Sequence, residues 1–444
     1  PGPVPGVRGD GPLHPAVLSG PGPGSPRGEG APVSDVVVVG AGLAGLVCAA
    51  DLVRAGVACA VVEASDGVGG RVRTDAVDGF LLDRGFQILL TAYPEVGRRL
   101  DTAALDLHEF APGAVVRTAD GMCAVGDPLR RPSQLVATVR APIGSLADKL
   151  RLARLVLSVR TTSARDLLRA PDSTTSARLR SAGFGPTMIE SFWRPLFAGI
   201  QLDPDLEVSR RRFDVVLKML ASGSTAVPAA GMGAIPAQLA AGLPDGTVRL
   251  GARVDRIDGT TVHLADGERI AARAVVVATE GPEAHRLLGA AVDDPGSRAV
   301  ACCWFATARP PLAGTALALD GTGAGPVRNL AVLSQVAPTY APPGRHLVAA
   351  AVPGPDALAP GLRSRVVEQL AGWFDTATAD WEHLRTDVIP HGQPRQAPPF
   401  APRRRVALGG GRFVCGDHRD TASIQGAMFS GERTAVAVTR HLAG

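Results

Sequence analysis

The sequence predicts an α/β fold in which a parallel sheet is assembled from separated stretches of chain, with an α+β region inserted between them. Three observations predict it. A β-branched run, Asp35 to Val39, passes straight into Gly40-Ala41-Gly42-Leu43-Ala44-Gly45 and then an apolar-periodic stretch that ends near Gly56. A second apolar run, Ala58 to Val62, ends in an acid, Glu63. Far downstream, the runs Ala274 to Ala278 and Arg412 to Cys415 have the same character, buried-strand composition followed by a turn of small or acidic residues.

The first unit reads strand, glycine turn, helix, strand, acid, and each glycine has its own task. Gly40 permits a tight turn, Gly42 lets the backbone approach a pyrophosphate, and Gly45 lets helix and strand pack closely. Leu43 and Ala44 open the helix, whose free N–H groups and positive end face the phosphate charge. Glu63 lies eighteen residues after Gly45, where a carboxylate accepts hydrogen bonds from a ribose 2′-hydroxyl, with Ala64 beside it. An acid at that point disfavours a 2′-phosphate. The plainer alternative, a glycine-rich turn in an ordinary βαβ unit, leaves Glu63 without a purpose.

A second glycine loop follows at once, Asp66-Gly67-Val68-Gly69-Gly70-Arg71-Val72-Arg73-Thr74, and after it Gly79-Phe80-Leu81-Leu82-Asp83-Arg84-Gly85-Phe86-Gln87. With these motifs the chain resembles the flavin-containing amine oxidase superfamily, which includes monoamine oxidases, protoporphyrinogen oxidases and phytoene desaturases. The resemblance covers almost everything after residue 34. It implies a Rossmann-like FAD-binding domain of the two-dinucleotide-binding-domain type and an inserted α+β substrate domain. It also implies roles for residues. Gly69, Gly70 and Arg71 lie along the FAD pyrophosphate, where a guanidinium fork suits phosphate oxygens. Gly85, Phe86 and Gln87 come to the flavin ring, although Gly85 as a turn and Phe86 as core is the simpler reading of those two alone. Val254 contacts the adenine, a loose match that its neighbours could equally fill, and Thr279 follows the strand Ala274 to Ala278.

The last stretch, Gly416-Asp417-His418-Arg419-Asp420-Thr421-Ala422-Ser423-Ile424-Gln425-Gly426-Ala427, ends an apolar strand and opens a C-terminal helix. Asp417 suits ribityl hydroxyls. Ser423, Ile424, Gln425 and Ala427 form the helix start, whose partial positive charge would face the flavin pyrimidine edge and stabilise reduced flavin. Small residues four apart, Gly426 with Ser430 and Ala427 with Gly431, let this helix approach another backbone. A capped helix packed on a sheet is the structural alternative.

The expected organisation is therefore a Gly/Pro-rich, disordered leader over 1–33, a nucleotide domain from 34–110, 246–290 and 401–444, and a substrate domain from 111–245 and 291–400. Within the latter, Phe192, Trp193, Phe197 and Met232 are candidates for an apolar substrate pocket, though each taken singly is more often core.

Composition bounds the alternatives. A chain of 444 residues with 45% hydrophobic content supports two domains and a large interior. The six cysteines contain no CxxC pair and read as reduced core residues of a cytoplasmic protein, without a zinc site. A net charge of +4, spread along the chain without aromatic interleaving, gives no support for nucleic-acid binding. The stretch 146–160 places Leu146, Leu150, Ala153 and Leu157 on one helical face among Lys149, Arg151, Arg154 and Arg160. Two readings stay open for it: peripheral contact with an anionic membrane, or a stripe packed on the core.

The chemistry expected is dehydrogenation of an apolar small molecule by hydride transfer to a non-covalent FAD, with oxygen or a quinone as acceptor. Amine oxidation is the alternative. It is disfavoured because the only tyrosines are Tyr93 and Tyr340, no aromatic follows Gly416-Asp417, and neither Lys149 nor Lys218 is placed to hold a water at the flavin. A redox-neutral flavin isomerase and a non-catalytic flavin-binding partner protein also remain. No side chain is assigned to catalysis; His418 and Asp420 are the weak candidates for proton transfer, with a plain phosphate or backbone contact the commoner role for such a histidine.

Overall fold

The computed structural model describes residues 34–126, 134–374 and 378–444; the expected leader, 1–33, lies outside the described residues. The main sheet has six strands in the spatial order Val248–Arg249, Cys59–Val62, Val36–Val39, Ala274–Val277, Arg412–Val414 and Ala407–Gly409. All neighbours are parallel except the last pair. Val38 pairs with Val61 on one side and with Val276 on the other, and Val276 pairs in turn with Phe413. Stretches far apart in sequence thus become adjacent rungs of one ladder.

Continuous valine runs form these strands because both sheet faces are covered, which a parallel sheet requires. Val36 and Val38 pack with Leu46 and Val47 of the helix Leu43–Arg54 and with Met428 and Val438 of the terminal helix Ile424–Ala443. Val37 and Val39 pack on the opposite face with Val254, Val262 and Leu264 of a three-stranded antiparallel sheet and with Ala284 and Leu287 of the helix Gly281–Leu288.

The opening and terminal helices meet at a glycine. A Cβ on Gly431 would stand 2.3 Å from the Ala44 carbonyl oxygen, so only glycine permits this approach. Arg99 then joins three elements, donating to Asp51 of the opening helix at 3.0 Å, to buried Glu95 of the helix Pro94–Arg99 at 2.6 Å and to Glu432 of the terminal helix at 3.0 Å.

A second sheet has seven strands, ordered Glu382–Pro394, Ser297–Thr307, His346–Pro353, Asn329–Val332, Leu317–Asp320, Gly113–Thr118 and Gly121–Gly126. One face packs on the helix Leu362–Phe374 through Val366, Leu370 and Trp373. The other, through Cys302, Trp304, Leu319 and Leu347, joins the principal core. Further helices lie between residues 135 and 222. Among them, Leu146–Thr161 opens with a reciprocal cap in which Ser145 accepts from the Asp148 amide and Asp148 accepts from Ser145.

Of the two readings for that helix, the structure decides against a stripe packed on the core. Leu155 and Val159 are its buried apolar residues, whereas Leu146, Leu150 and Leu157 are 59%, 65% and 63% exposed. Leu135, Val136 and Val139 of the preceding helix Leu135–Arg140 are exposed as well. Both lysines close helix C-termini: Lys149 donates to the Val139 and Ala141 carbonyls, and Lys218 to those of Val159 and Arg160.

Candidate functional site

A cavity of about 550 Å³ opens at the carboxyl ends of the central strands, where Gly40, Ala278 and Gly416 follow the runs Val36–Val39, Ala274–Val277 and Arg412–Val414. Ligands of open parallel sheets bind at this position. A smaller cavity of about 220 Å³ adjoins it and shares Gly40, Glu63, Thr279 and Glu280 with it.

The glycine turn separates binding from packing. A Cβ on Gly45 would meet the Gly40 carbonyl oxygen at 2.0 Å, and Gly40 itself has φ +106°. A Cβ on Gly42 would meet no protein atom within 4 Å, and Gly42 lines the cavity. Protein packing does not require glycine there; a ligand pressed against the backbone does. Gly42 also caps the opening helix without a side chain, leaving N–H groups for an anion. This cradle fits a pyrophosphate.

Glu63 is oriented by its surroundings. One carboxylate oxygen accepts from the Ala41 amide at 2.8 Å; the other accepts from the Ser65 amide and hydroxyl at 2.9 and 2.8 Å. The first oxygen keeps an acceptor site for a ribose hydroxyl. Ala64 and Val254 line the smaller cavity beside it, and the Val254 carbonyl already accepts from Arg286. Gly69, Gly70 and Arg71 line the main cavity from the second glycine loop. Arg71 donates to the Gly392 carbonyl at 2.7 Å and to Asp417 at 2.8 Å, which ties the loop to the last strand. Burial opposes the Arg71 charge, but Asp417 and Glu280 outweigh it and raise its pKa. Glu280 lines both cavities, and its own pKa is raised by burial.

Gly85, Phe86 and Gln87 also line the cavity, with the Gln87 amide nitrogen holding the Arg71 and Arg84 carbonyls. Leu43, Ala44, Thr279, Gly416, Asp417, Ser423, Ile424 and Ala427 complete the lining expected from sequence. Ser423 caps the terminal helix by accepting from the Gly426 amide at 3.0 Å. Two expected residues stand elsewhere. Gly45 is a packing residue, as described. Gln425 faces the helix Pro94–Arg99, where its side-chain oxygen accepts from the Glu95 amide at 2.8 Å.

The expected substrate-pocket residues are corrected. Trp193, Phe197 and Met232 are fully buried away from the cavity, and Phe192 packs edge-on against Trp193. Trp193 also contacts Phe184, Phe197 and Phe213, so these aromatics form a core between helices. Met232 lies in a turn whose amide donates to Asp83 at 2.9 Å. Asp83 also accepts from Thr74 and Tyr340, and its pKa is raised to about 6, chiefly by burial. The observed apolar wall is instead made by Leu196, Ile200, Leu202, Val216, Val300, Leu317, Ile389 and Pro353.

His418 and Asp420 are corrected too. A tight turn over Asp417–Arg419 swings the His418 ring behind Gly416, where both ring nitrogens lack a hydrogen-bond partner among the described residues; it therefore makes no bond to Asp420. Burial lowers its pKa to about 4. Asp420 points to the terminal helix and pairs with Arg433 at 3.3 Å. Neither residue lines the cavity.

The sequence reading missed Arg212, Asn329 and Tyr93 as cavity residues. Arg212 sits in the run Arg210-Arg211-Arg212-Phe213, which looks like a solvated basic face. Its phase is the overlooked signal: Arg212 and Val216 are four apart on the helix Arg210–Ser222 and both line the cavity. Neither lysine lines it.

Comparison with known proteins agrees with this geometry. A phytoene dehydrogenase of Streptomyces griseus is 30% identical over 292 residues, 58% of this chain and 56% of that protein, so the match spans little more than half of its length. A cyclohexylamine oxidase from Brevibacterium oxydans has a similar fold, with a TM-score of 0.69 at 18% identity over 93% of this chain and 100% of that one. An oxidoreductase from Methanosarcina mazei likewise has a TM-score of 0.69 at 20% identity, over 91% and 99% of the two chains. FAD is the cofactor, and the model of the flavin containing amine oxidoreductase family matches residues 43–439, so the chain belongs to that family.

Proposed function

We propose that this protein dehydrogenates an apolar small molecule, the hydride passing to FAD and the electrons onward to oxygen or a quinone. The observation that carries the reading is the apolar wall beyond the dinucleotide cradle, which has no lysine and, apart from Phe86 and Tyr93, no aromatic residue. In this reading Gly42 and the opening helix hold the pyrophosphate with Arg71, Glu63 holds the adenosine ribose, and Asp417 the ribityl chain. Bound FAD supplies the two-electron acceptor. The protein positions the substrate: Leu196, Ile200, Val300 and Ile389 exclude water and align a C–H bond by shape. Loss of the hydride leaves a cationic carbon that must also give up a proton; His418, turned away from the cavity, does not take it, and in this reading the proton is lost to solvent.

The test is anaerobic mixing of the yellow protein with apolar candidates carrying activated C–H bonds. Bleaching of the flavin, with return of colour on adding oxygen or quinone, is the expected result. Ammonia and an aldehyde from amine substrates would move the assignment to amine oxidation, and a transformed substrate without net electron transfer would make the protein an isomerase.

The exposed leucine face favours a location for this chemistry at an anionic membrane surface. Leu135, Val136, Val139, Leu146, Leu150 and Leu157 project to solvent next to Arg140, Arg154 and Arg160. No helix among the described residues is long and apolar enough to cross a membrane. Sedimentation with vesicles containing anionic lipid, but not with zwitterionic ones, is expected.

A further inference from the structure

Arg212 is a buried cation on the wall of the cavity, 2% exposed, with no carboxylate in salt-bridge contact among the described residues. One guanidinium nitrogen, Nη2, donates to the Gln393 side chain at 2.5 Å and to the Ala422 carbonyl at 2.8 Å. Its Nε and Nη1 have no partner among the described residues. Burial lowers the pKa to about 10, which still leaves the group charged at neutral pH. A buried guanidinium with unmet donors is costly unless an anion completes it.

Its surroundings indicate which anion. The Ala422 carbonyl that anchors Arg212 immediately precedes Ser423, the cap of the twenty-residue terminal helix. Ala422, Ser423 and Ile424 line the same cavity, so the positive end of that helix and the guanidinium converge on one corner. Tyr93 lines it as well. Hydride uptake adds two electrons and one proton to a neutral isoalloxazine and leaves one net negative charge, spread over N1 and the C2 carbonyl. Two fixed positive features at one corner suit that charge.

We propose that Arg212 is a positioning residue for the cofactor's charge: it completes its hydrogen bonding on the pyrimidine side of FAD and favours the reduced, anionic form. This rests on the reading of the cavity as the FAD site, and not on the identity of the substrate. Arg210 and Arg211 do not share the role, because Arg210 pairs with Asp214 and Arg211 donates to the Ala170 and Phe400 carbonyls.

The experiment uses FAD-loaded protein and no substrate, so failure of the dehydrogenase reading leaves it intact. The midpoint potential is measured against reference dyes, and sulfite affinity is measured from flavin bleaching. R212M is expected to lose roughly 10- to 100-fold of the preference for reduced cofactor, about 30–60 mV for a two-electron couple, and to bind sulfite correspondingly more weakly. R212K is expected to recover most of both. Should R212M not fold, R212Q keeps a donor for the Ala422 carbonyl while removing the charge and is expected to show the same shift. A charge-neutral variant that retains FAD with unchanged potential and sulfite affinity overturns the proposal. So does an unchanged potential accompanied by loss of benzoate binding, which would assign Arg212 to a substrate carboxylate.

Discussion

Gly42 and Gly45 are three residues apart, yet a methyl group would meet opposite surroundings at the two sites. At Gly42 it projects into the cavity and touches no protein atom; at Gly45 it strikes the Gly40 carbonyl oxygen at 2.0 Å. Gly42→Ala is therefore expected to fold normally while weakening FAD binding by about 1–3 kcal/mol, roughly five- to 150-fold, measured by FAD titration of apoprotein alongside its melting temperature. Gly45→Ala is expected to lower stability itself, by about 3 kcal/mol or more. His418 makes a second residue-scale prediction. Its folded pKa of about 4 lies below the value of 6.5 for an unperturbed histidine, so the unfolded chain binds the extra proton first as pH falls. The stability associated with a neutral His418 is present above pH 6.5 and is lost as pH drops towards 4, by about 3 kcal/mol in all. Asp83 has the opposite sign: its carboxyl is raised to about 6, so acid favours the folded state over the same range. The two slopes oppose each other in the wild type, and the difference between wild type and His418→Gln in urea unfolding at stepped pH isolates the histidine. A difference that does not change between pH 7 and 4.5 would refute the buried neutral ring.

At the scale of elements, Arg99 joins the opening helix, the short helix Pro94–Arg99 and the terminal helix through Asp51, Glu95 and Glu432. Glu95 is fully buried, and Arg98 is its other cationic partner. Arg99→Met is expected to cost about 2–4 kcal/mol, because it weakens the compensation of a buried carboxylate; equilibrium unfolding measures it. The leucine face carries the complementary prediction. Replacing Leu146, Leu150 and Leu157 together with Gln removes exposed apolar area, so folding and FAD content are expected to stay unchanged while vesicle binding falls roughly tenfold or more. Helical periodicity alone could not orient this face. The leucines and the buried pair Leu155 and Val159 share one helix, and the partners on the helix Arg210–Ser222 determine which side is covered.

For the whole molecule, the three stretches that form the main sheet meet at the main cavity, and the bond from Arg71 to Asp417 ties the second glycine loop to the last of them. Purified protein is expected to be yellow and to release its FAD on acid precipitation; flavin that remains with the precipitate would reveal a covalent link. The parts of this arrangement that the sequence determined by itself are those written in the backbone: the glycine turn, the distance to Glu63, the second glycine loop and the strand ending in Gly416-Asp417. Such features are local, since conformation at a glycine and spacing along a βαβ unit depend on few neighbours. Tertiary structure alone decided the rest. It placed Trp193 and Phe197 in an interhelical core and not at the substrate, turned His418 behind Gly416, and brought Arg212 from an apparently solvated basic run to the cavity wall. Whether a side chain is buried, paired or free depends on segments that arrive from hundreds of residues away, and no local pattern encodes their arrival.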